Sequence, residues 1–252
     1  MKVLLSPAKA IDMSKRLNSS EVCTPVFMSE AESLMKKMSK FSANKIGKMM
    51  HLSTDLSQLN YDRNQNWNTE TDLTEETGHA IAAFNGEAYR GFDALTLDAA
   101  GLQIANDKVR ILSGLYGILK PLDVIHPYRL EMGTKWEVTP TKKNLYQFWG
   151  DKISNALAEE EEEVIVNCAS AEYFKAAKLK SLKARIITPV FKDLKNGDYK
   201  VIMVYAKQSR GAMARFIVDN NINDPEEIKA FDVGGYRYDE NLSSENEWVF
   251  TR

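Results

Sequence analysis

The chain has 252 residues, of which 44% are hydrophobic and 27% charged, and its formal net charge at pH 7 is −2. This composition is typical of a soluble globular protein, and a net charge near zero by itself predicts no attraction to nucleic acid. No apolar run approaches the roughly 18 residues of a membrane helix, and the first residues lack the apolar region of a signal peptide, so we expect a cytoplasmic protein with no membrane partner.

The sequence offers little for disulfide or metal chemistry. Its two cysteines, Cys23 and Cys168, form no C-x-x-C pair, and His51, His79 and His126 form no H-x-x-x-H pair. We therefore predict no cofactor and no metal site. We also predict no peroxide-reducing thiol, because such a thiol needs a lowered pKa and usually a second cysteine nearby.

The first half of the chain is predicted to be mainly helical. Val3 to Leu5 predicts a short buried strand that leads into a Ser-Pro turn. Residues 29–60 carry apolar side chains at helical spacing, which indicates two or three helices, and Ser42 and Ser53 are their expected N-caps. We expect two further helices, at residues 74–84 and 97–106.

The second half of the chain alternates between strand and helix patterns. We expect strands at residues 164–166, 185–191, 199–205, 231–238 and 248–250, and helices at residues 171–182 and 210–220. The Asn196-Gly197 pair favours a tight hairpin, and the glutamates of residues 159–163 are expected to end an exposed helix that begins near Asn144. Because no Gly/Pro/Ser-rich linker is present, we predict one α/β domain over residues 1–252, with a helical N-terminal portion on a mixed sheet.

The most informative stretch, residues 110–133, combines a strand-like run, a G-x-x-G turn and several charged side chains. Arg110, Gly114, Gly117 and Lys120 suggest a helix-hairpin-helix-like element, in which glycine amides approach a phosphate closely. A plain turn from a strand into a short helix is the alternative.

The same stretch places Tyr128 and Arg129 directly after a proline. An Arg fork can bind a phosphate through two hydrogen bonds, and a Tyr ring can stack on an exposed base. An ion pair of Arg129 with Glu131 or Asp123 is the alternative reading.

Positive charge is concentrated in residues 164–217, which hold 11 Lys and Arg against three Asp and Glu. This segment predicts one basic face, unless its lysines are spread over solvated surfaces. Near its end, Arg210 and Arg215 fall at the expected start of a helix, with Lys207 just before it, and cations there are unfavourable unless an anion lies nearby. A purely structural role for these cations is the alternative.

Two more motifs are expected at strand ends. N-C-A-S-A-E-Y-F-K begins where a strand passes into a helix, and ligands of open α/β sheets bind at such places. Asn167, Tyr173 and Lys175 are the cleft candidates of this motif. S-P-A-K, from Ser6 to Lys9, matches the S-x-x-K spacing of acyl transferases only weakly, so we expect a turn or a ligand-facing Lys9.

S-P-A-K, the 110–133 stretch, F-W-G-D at residues 148–151, N-C-A-S-A-E-Y-F-K and R-G-A-M-A-R-F at residues 210–216 together closely resemble the YaaA-type peroxide-stress family, from end to end. The resemblance implies a cytoplasmic bacterial protein of the peroxide response that limits iron-driven oxidative damage. It also implies an unusual α/β fold with a helix-hairpin-helix-like element, and a basic cleft that binds duplex or distorted DNA with little sequence specificity.

DNA is therefore the expected partner. The expected DNA-binding residues are Lys9, Arg110, Gly114, Gly117, Lys120, Tyr128, Arg129, Lys175, Lys207, Arg210 and Arg215. A small-molecule enzyme is the competing hypothesis, and its polar cleft would be formed by Lys9, Arg110, Tyr128, Arg129, Asn167, Lys175 and Lys207. An iron- or haem-handling protein fits the stress response but lacks recognisable ligands. Both the DNA and the enzyme hypothesis predict that Lys9, Arg110, Arg129, Lys175, Lys207, Arg210 and Arg215 line one surface.

Overall fold

The computed structural model describes residues 1–161, 163–178 and 182–252. Its strands are β1 (Lys2–Leu5), β2 (Ala10–Ile11), β3 (Gly78–His79), β4 (Phe84–Asn85), β5 (Val109–Ser113), β6 (Gly117–Leu119), β7 (Val124–Ile125), β8 (Val164–Asn167), β9 (Arg185–Lys195), β10 (Asp198–Lys200), β11 (Arg237–Tyr238) and β12 (Glu247–Thr251). Its α-helices are α1 (Met28–Met38), α2 (Ala43–Met50), α3 (Thr54–Asn66), α4 (Ala80–Ala83), α5 (Glu87–Phe92), α6 (Ala99–Lys108), α7 (Leu145–Trp149), α8 (Lys152–Glu160), α9 (Ala171–Ala177) and α10 (Met203–Asp219).

One mixed sheet organises the fold. Its strand order is β11-β12-β9-β8-β1-β5-β6, with β10 paired to β9 as a hairpin. Strands β5, β1, β8, β9 and β12 run parallel, so their carboxyl ends meet at one side, which we call the C-terminal edge. The mixed α/β fold with a helical N-terminal portion, predicted from the sequence, is confirmed.

The N-terminal helices begin where the sequence predicts. The Ser42 hydroxyl accepts a hydrogen bond from the Lys45 amide, and the Ser53 hydroxyl accepts one from the Leu56 amide, so both serines are the expected N-caps. These bonds satisfy amides that the first turn of a helix leaves without partners.

Helix α3 buries polar side chains and exposes apolar ones, which is the reverse of most surface helices. Its buried residues are Ser57, Asn60 and Asn64, whereas Leu56 and Leu59 are 39% and 43% exposed. The helix packs closely on α2, where a Cβ added at Gly47 would lie 2.3 Å from the Ser57 Oγ. The close approach of α2 at Gly47 therefore favours a small side chain at position 57, against the apolar pattern that predicts the helix.

The segment predicted to be helix-hairpin-helix-like is a β-hairpin. Strands β5 and β6 pair antiparallel, with Ser113 opposite Gly117, whose φ of +71° favours glycine. A Cβ added at Gly114 would lie 2.2 Å from the Leu130 carbonyl oxygen, and the Trp149 indole donates to the Gly114 carbonyl at 3.0 Å. Both glycines are buried. The expectation of a helix-hairpin-helix-like element here is wrong, because β5 joins the central sheet beside β1 and carries the turn into the interior.

Helix α10 corrects a second expectation. It begins at Met203, so residues 203–205 are helical and the strand predicted there ends at Lys200. Arg210 and Arg215 consequently lie in the body of a helix and not at its start, which removes the expected conflict with the helix dipole.

Four further boundaries differ from prediction. The helix expected at 74–84 shrinks to α4 between two short strands, and the strand expected at 231–238 shrinks to β11. The helix expected from Asn144 to the glutamate run divides into α7 and α8 at Gly150, whose φ is +54°. Helix α9 ends at Ala177; the remainder of the helix predicted to residue 182 falls partly at positions 179–181, and Glu162 of the glutamate run, like them, lies outside the described residues.

The buried carboxyl of Asp123 is expected to make stability depend on pH. Burial raises its pKa to about 6, although its Oδ2 accepts a hydrogen bond from the Lys120 amide at 2.8 Å. A folded-state pKa above the unfolded value of about 3.9 means that this contribution to stability is present below about pH 4 and is lost as the pH rises.

Between about pH 4 and about pH 7, we expect the free energy of unfolding of the wild type to fall, relative to Asp123→Asn, by on the order of 3 kcal/mol. Urea titrations of both proteins across this range measure the difference. Parallel stability curves for the two proteins would contradict the assignment.

Candidate functional site

Hydroxyl groups converge at the C-terminal edge. Ser6 follows β1, Ser113 ends β5, and Ser170 follows β8. The Ser6 Oγ accepts a hydrogen bond from the Ser170 amide at 2.8 Å, and the Ser113 Oγ lies 2.6 Å from the Tyr128 hydroxyl. Short polar side chains at the ends of parallel strands are typical of ligand sites in open α/β sheets.

Three buried tyrosines pack around these serines. The Tyr89 hydroxyl donates to the Ser6 carbonyl at 2.9 Å, and Tyr89, Tyr128 and Tyr173 are close enough to influence one another electrostatically. Burial raises the pKa of each of the three phenols above its ordinary value. At neutral pH they are therefore uncharged groups that can donate hydrogen bonds.

Cys168 lies at the same edge but is a poor nucleophile. Burial raises the pKa of its thiol to about 12, although the Arg210 charge acts in the opposite direction. The thiol is therefore protonated at neutral pH, whereas peroxide reacts with a thiolate. This environment supports the expectation that Cys168 is not a peroxide-reducing centre, which stays a prediction.

A charged rim borders the hydroxyl cluster. The Lys9 Nζ lies 2.7 Å from the Glu131 Oε2, and the Arg129 Nη2 lies 3.4 Å from the Glu131 Oε1. The pairing of Arg129 with Glu131, one of the two readings of this motif, is thus present. Lys9, Tyr128 and Arg129 from the expected DNA-binding set lie together here. Arg210 is close enough to Cys168 for its charge to act on the thiol.

Lys175 and Lys207 lie on the helices beside this rim. The Lys175 ammonium lies 4.9 Å from the centre of the Tyr146 ring, and the Tyr146 hydroxyl donates to the Glu172 carbonyl. Lys207 is exposed, one turn before Arg210 in α10. Asn167, a candidate of the enzyme hypothesis, accepts from the Ala169 amide at 3.2 Å and holds the turn after β8.

Arg110 and Lys120 lie away from the C-terminal edge. Arg110 is at the start of β5, is buried, and donates to the Glu160 carboxylate at 2.5 Å. Lys120 is exposed beside Asp123, whose carboxyl also feels the Arg110 charge. Both side chains therefore belong to the opposite end of β5.

Arg215 is occupied by a structural role. Its guanidinium donates to the carbonyls of Phe92 and Asp93 and to the Asp219 carboxylate, at 3.1, 2.7 and 2.6 Å. These bonds hold the end of α5 against α10. The structure thus does not bring Arg110 and Arg215 onto one surface with Lys9 and Arg129.

A groove rich in lysine, which the sequence analysis missed, lies between the α1–α2 turn and residues 135–138. Its volume is about 690 Å³. Its cationic lining, which we call the lysine groove, consists of Lys37, Lys40, Lys45, Lys48 and Lys135. Among the described residues that line it, Glu137 is the acidic one, and its carboxylate is paired with Lys143 at 2.6 Å.

Two aromatic rings form part of the groove wall. Phe41 and Trp136 meet edge to face with ring centres 5.8 Å apart, and the Lys45 ammonium lies 3.6 Å from the centre of the Phe41 ring. A local signal for the groove does exist, because residues 33–54 contain five lysines and no Asp or Glu. The rest of the wall, including Trp136 and Val138, comes from a segment some 90 positions later, which no local pattern connects to these lysines.

Neither a metal cluster nor a membrane helix is found in the described part of the chain. No group of three or more His, Cys, Asp or Glu in residues 1–161, 163–178 and 182–252 is arranged to hold a metal ion. Within the same residues, no helix has the length and apolar character needed to cross a membrane.

Comparison with known proteins finds a family that covers nearly the whole chain. The family model described as "Peroxide stress protein YaaA" matches residues 1–242. A UPF0246 protein of Burkholderia lata is 45% identical over 258 residues, with 100% of this chain and 98% of that protein covered. A UPF0246 protein of Neisseria meningitidis serogroup A is 45% identical over 253 residues, with 99% and 97% covered.

Proposed function

Because the chain belongs to the peroxide stress protein YaaA family, we propose that it acts in the bacterial cytoplasm by binding DNA, duplex or distorted, with little sequence specificity, and thereby limits iron-driven oxidative damage. The lysine groove is the observation that carries the DNA-binding part of this proposal. Peroxide stress is the family's description; DNA as the partner is our inference from charge and shape.

The chemistry of the groove fits a nucleic-acid backbone. Its lysines present point charges to phosphates, and phosphate contacts fix position without reading sequence. Phe41, which is half-buried, adds ring surface against which an unstacked base of distorted DNA can pack, and the buried Trp136 supports this ring edge to face. Among the described residues, those that line the groove include no Asn, Gln or Arg of the kind that reads base edges through paired hydrogen bonds.

The sequence-predicted residues support the proposal unequally. Lys9 lies in the charged rim, Arg210 is close to Cys168, Lys175 and Lys207 lie on α9 and α10, and Lys135 of the groove is four positions after Glu131 of the charged rim. Four residues span at most about 14 Å, so one DNA segment can contact both places. The structure gives weaker support for direct DNA contact by the remaining members of the set. Arg110, Gly114 and Gly117 are buried, the Arg215 guanidinium is engaged in structural hydrogen bonds, and Lys120 lies at the opposite end of β5.

Binding titrations at several salt concentrations test the proposal. We expect the logarithm of the association constant to fall with the logarithm of salt concentration with a slope of about −4 to −5, if the five lysines each neutralise one phosphate. Duplexes of scrambled sequence are expected to bind equally, and a duplex with a bulge at least as well. Absence of binding at about 100 µM protein in low salt, the weak end of nonspecific affinity, would refute DNA binding.

A small-molecule enzyme at the C-terminal edge is the second candidate function. It is favoured by the convergence of Ser6, Ser113 and Ser170 with the neutral hydroxyls of Tyr89 and Tyr128, an arrangement for which DNA binding has no use. A metabolite screen would separate the two functions if it finds a ligand that binds this edge and the affinity for DNA is the same with and without that ligand.

A further inference from the structure

The guanidinium of Arg129 is incompletely hydrogen bonded. Its side chain is only 16% exposed, and its contact with Glu131 is a long one, 3.4 Å, through Nη2 alone. The Nε of the same group is buried and has no hydrogen-bond partner among the described residues. A buried donor without an acceptor is unfavourable, and an Arg fork is best satisfied when Nε and Nη2 bind two oxygens of one group. The fork is thus set to accept a second oxygen that Glu131 does not supply.

More positive charge surrounds this fork than Glu131 neutralises. Arg63 of α3 lies nearby: burial lowers the pKa of its guanidinium, and the Arg129 charge lowers it further. Lys9 contacts the other oxygen of Glu131 at 2.7 Å. The neighbouring Glu172 carboxylate is engaged with the Gly133 amide at 2.7 Å. Two cations therefore share one carboxylate, and the charge of Arg63 adds to the positive potential at the Arg129 fork.

We propose that Lys9 and Arg129 form a binding site for the phosphate group of a small molecule or a DNA end, and that Glu131 occupies this site until the phosphate displaces it. A phosphate offers at least three oxygens, so two can bind the Arg129 fork while a third binds Lys9. A carboxylate has only two oxygens and cannot satisfy both cations in this way. The inference is independent of the lysine groove, since none of these residues lines it.

Calorimetric titration of the full chain with inorganic phosphate tests the site directly. We expect Arg129→Gln to weaken phosphate binding by at least about tenfold, as the loss of charge-assisted hydrogen bonds implies. Arg129→Lys is expected to fall between the wild type and Arg129→Gln, because it keeps the charge and loses the fork. Lys195→Gln, at an exposed lysine of β9, is the matched control and should bind as the wild type does.

Glu131→Gln provides the readout that a structural role would not change. We expect it to tighten phosphate binding by about fivefold to tenfold, because it removes the competing carboxylate and leaves the cations in place. Thermal melts of every variant establish that it is folded. Absence of phosphate binding by both the wild type and Glu131→Gln at about 10 mM phosphate, or equal affinity in folded Arg129→Gln, would overturn the proposal.

The source of the phosphate is found by comparing duplexes with and without a 5′-phosphate. Tighter binding of the phosphorylated duplex by the wild type but not by Arg129→Gln identifies a DNA end as the ligand. Equal binding of both duplexes, together with binding of inorganic phosphate, identifies a small molecule. A chain that binds phosphate but no DNA refutes the proposed function and supports this site; one that binds DNA but no phosphate does the reverse.

Discussion

Replacing Lys40 and Lys48 together by Glu is expected to weaken DNA binding by about two orders of magnitude or more in low salt. Both side chains are exposed and line the lysine groove, so the change removes two phosphate contacts and adds two repulsive charges without disturbing the core. Each lost contact also stops the release of about one counterion, so the slope of affinity against salt should shrink by about 2. Anisotropy titrations with a labelled duplex measure both quantities.

The matched control carries the same change of charge elsewhere. Lys183 and Lys195 are exposed lysines of the basic segment that the sequence singled out, and neither lines the groove. Their double replacement by Glu alters net charge equally and should reduce affinity only through long-range repulsion, which salt screens. If the control loses as much affinity as the groove variant, DNA contacts the basic segment and the groove assignment is wrong.

Gly211→Ala is expected to destabilise the protein by about 4 kcal/mol, enough to unfold a marginally stable chain. Helices α10 and α5 cross here in direct backbone contact: a Cβ at Gly211 would lie 1.7 Å from the Ala88 carbonyl oxygen, and one at Gly91 would lie 2.0 Å from that of Gln208. Carbonyls held in two helices cannot move aside as a flexible side chain can. Separation of the helices would also disturb the Arg215 bonds to the end of α5.

Urea unfolding of Gly211→Ala and of Gly78→Ala measures this effect. At Gly78 the nearest atom to an added Cβ is the Met13 Sδ at 3.3 Å, at the flexible end of a side chain. We expect the Gly78 variant to lose less than about 1 kcal/mol. Equal stability of Gly211→Ala and the wild type would show that the helices can separate without cost.

Local patterns predicted the elements whose signals are local. The N-caps at Ser42 and Ser53 depend on side chains three residues from their targets, and both are where the sequence places them. The prediction of a helix-hairpin-helix-like element at Gly114 and Gly117 was wrong because a G-x-x-G pattern does not reveal which helices or strands flank the turn. The strand-like run before the turn is strand β5, but only its antiparallel pairing with β6 decides that a strand, and not a helix, leaves the turn.

The strand prediction over the apolar run at residues 201–205 was wrong for a related reason. Its valines and tyrosine favour a strand by propensity, yet helix α10 begins at Met203 and continues across α5. The contact between Gly211 and Ala88 joins positions far apart in the chain. Tertiary packing thus overrides the local preference.

The candidate site was partly predictable because of sheet geometry. Lys9 follows a predicted strand, and parallel strands bring their carboxyl ends to one edge, where Lys9 meets Arg129. Arg110 was misplaced because its partner Glu160 is 50 positions away and invisible to local reasoning. The role of Arg63 was equally hidden, since nothing near it in the sequence indicates Arg129.

The central position of β1 in the sheet has a consequence for how a newly synthesised chain folds. Val3 pairs with Val109 on one side and with Val166 on the other, so neither neighbour of this strand is close in sequence. Chains dominated by such distant pairings fold slowly, because long loops must close before any pairing is rewarded. Until both neighbours have paired with it, the apolar strand β1 has two unpaired edges that can bind other chains. The time that new chains spend in this state sets how many of them aggregate before they mature.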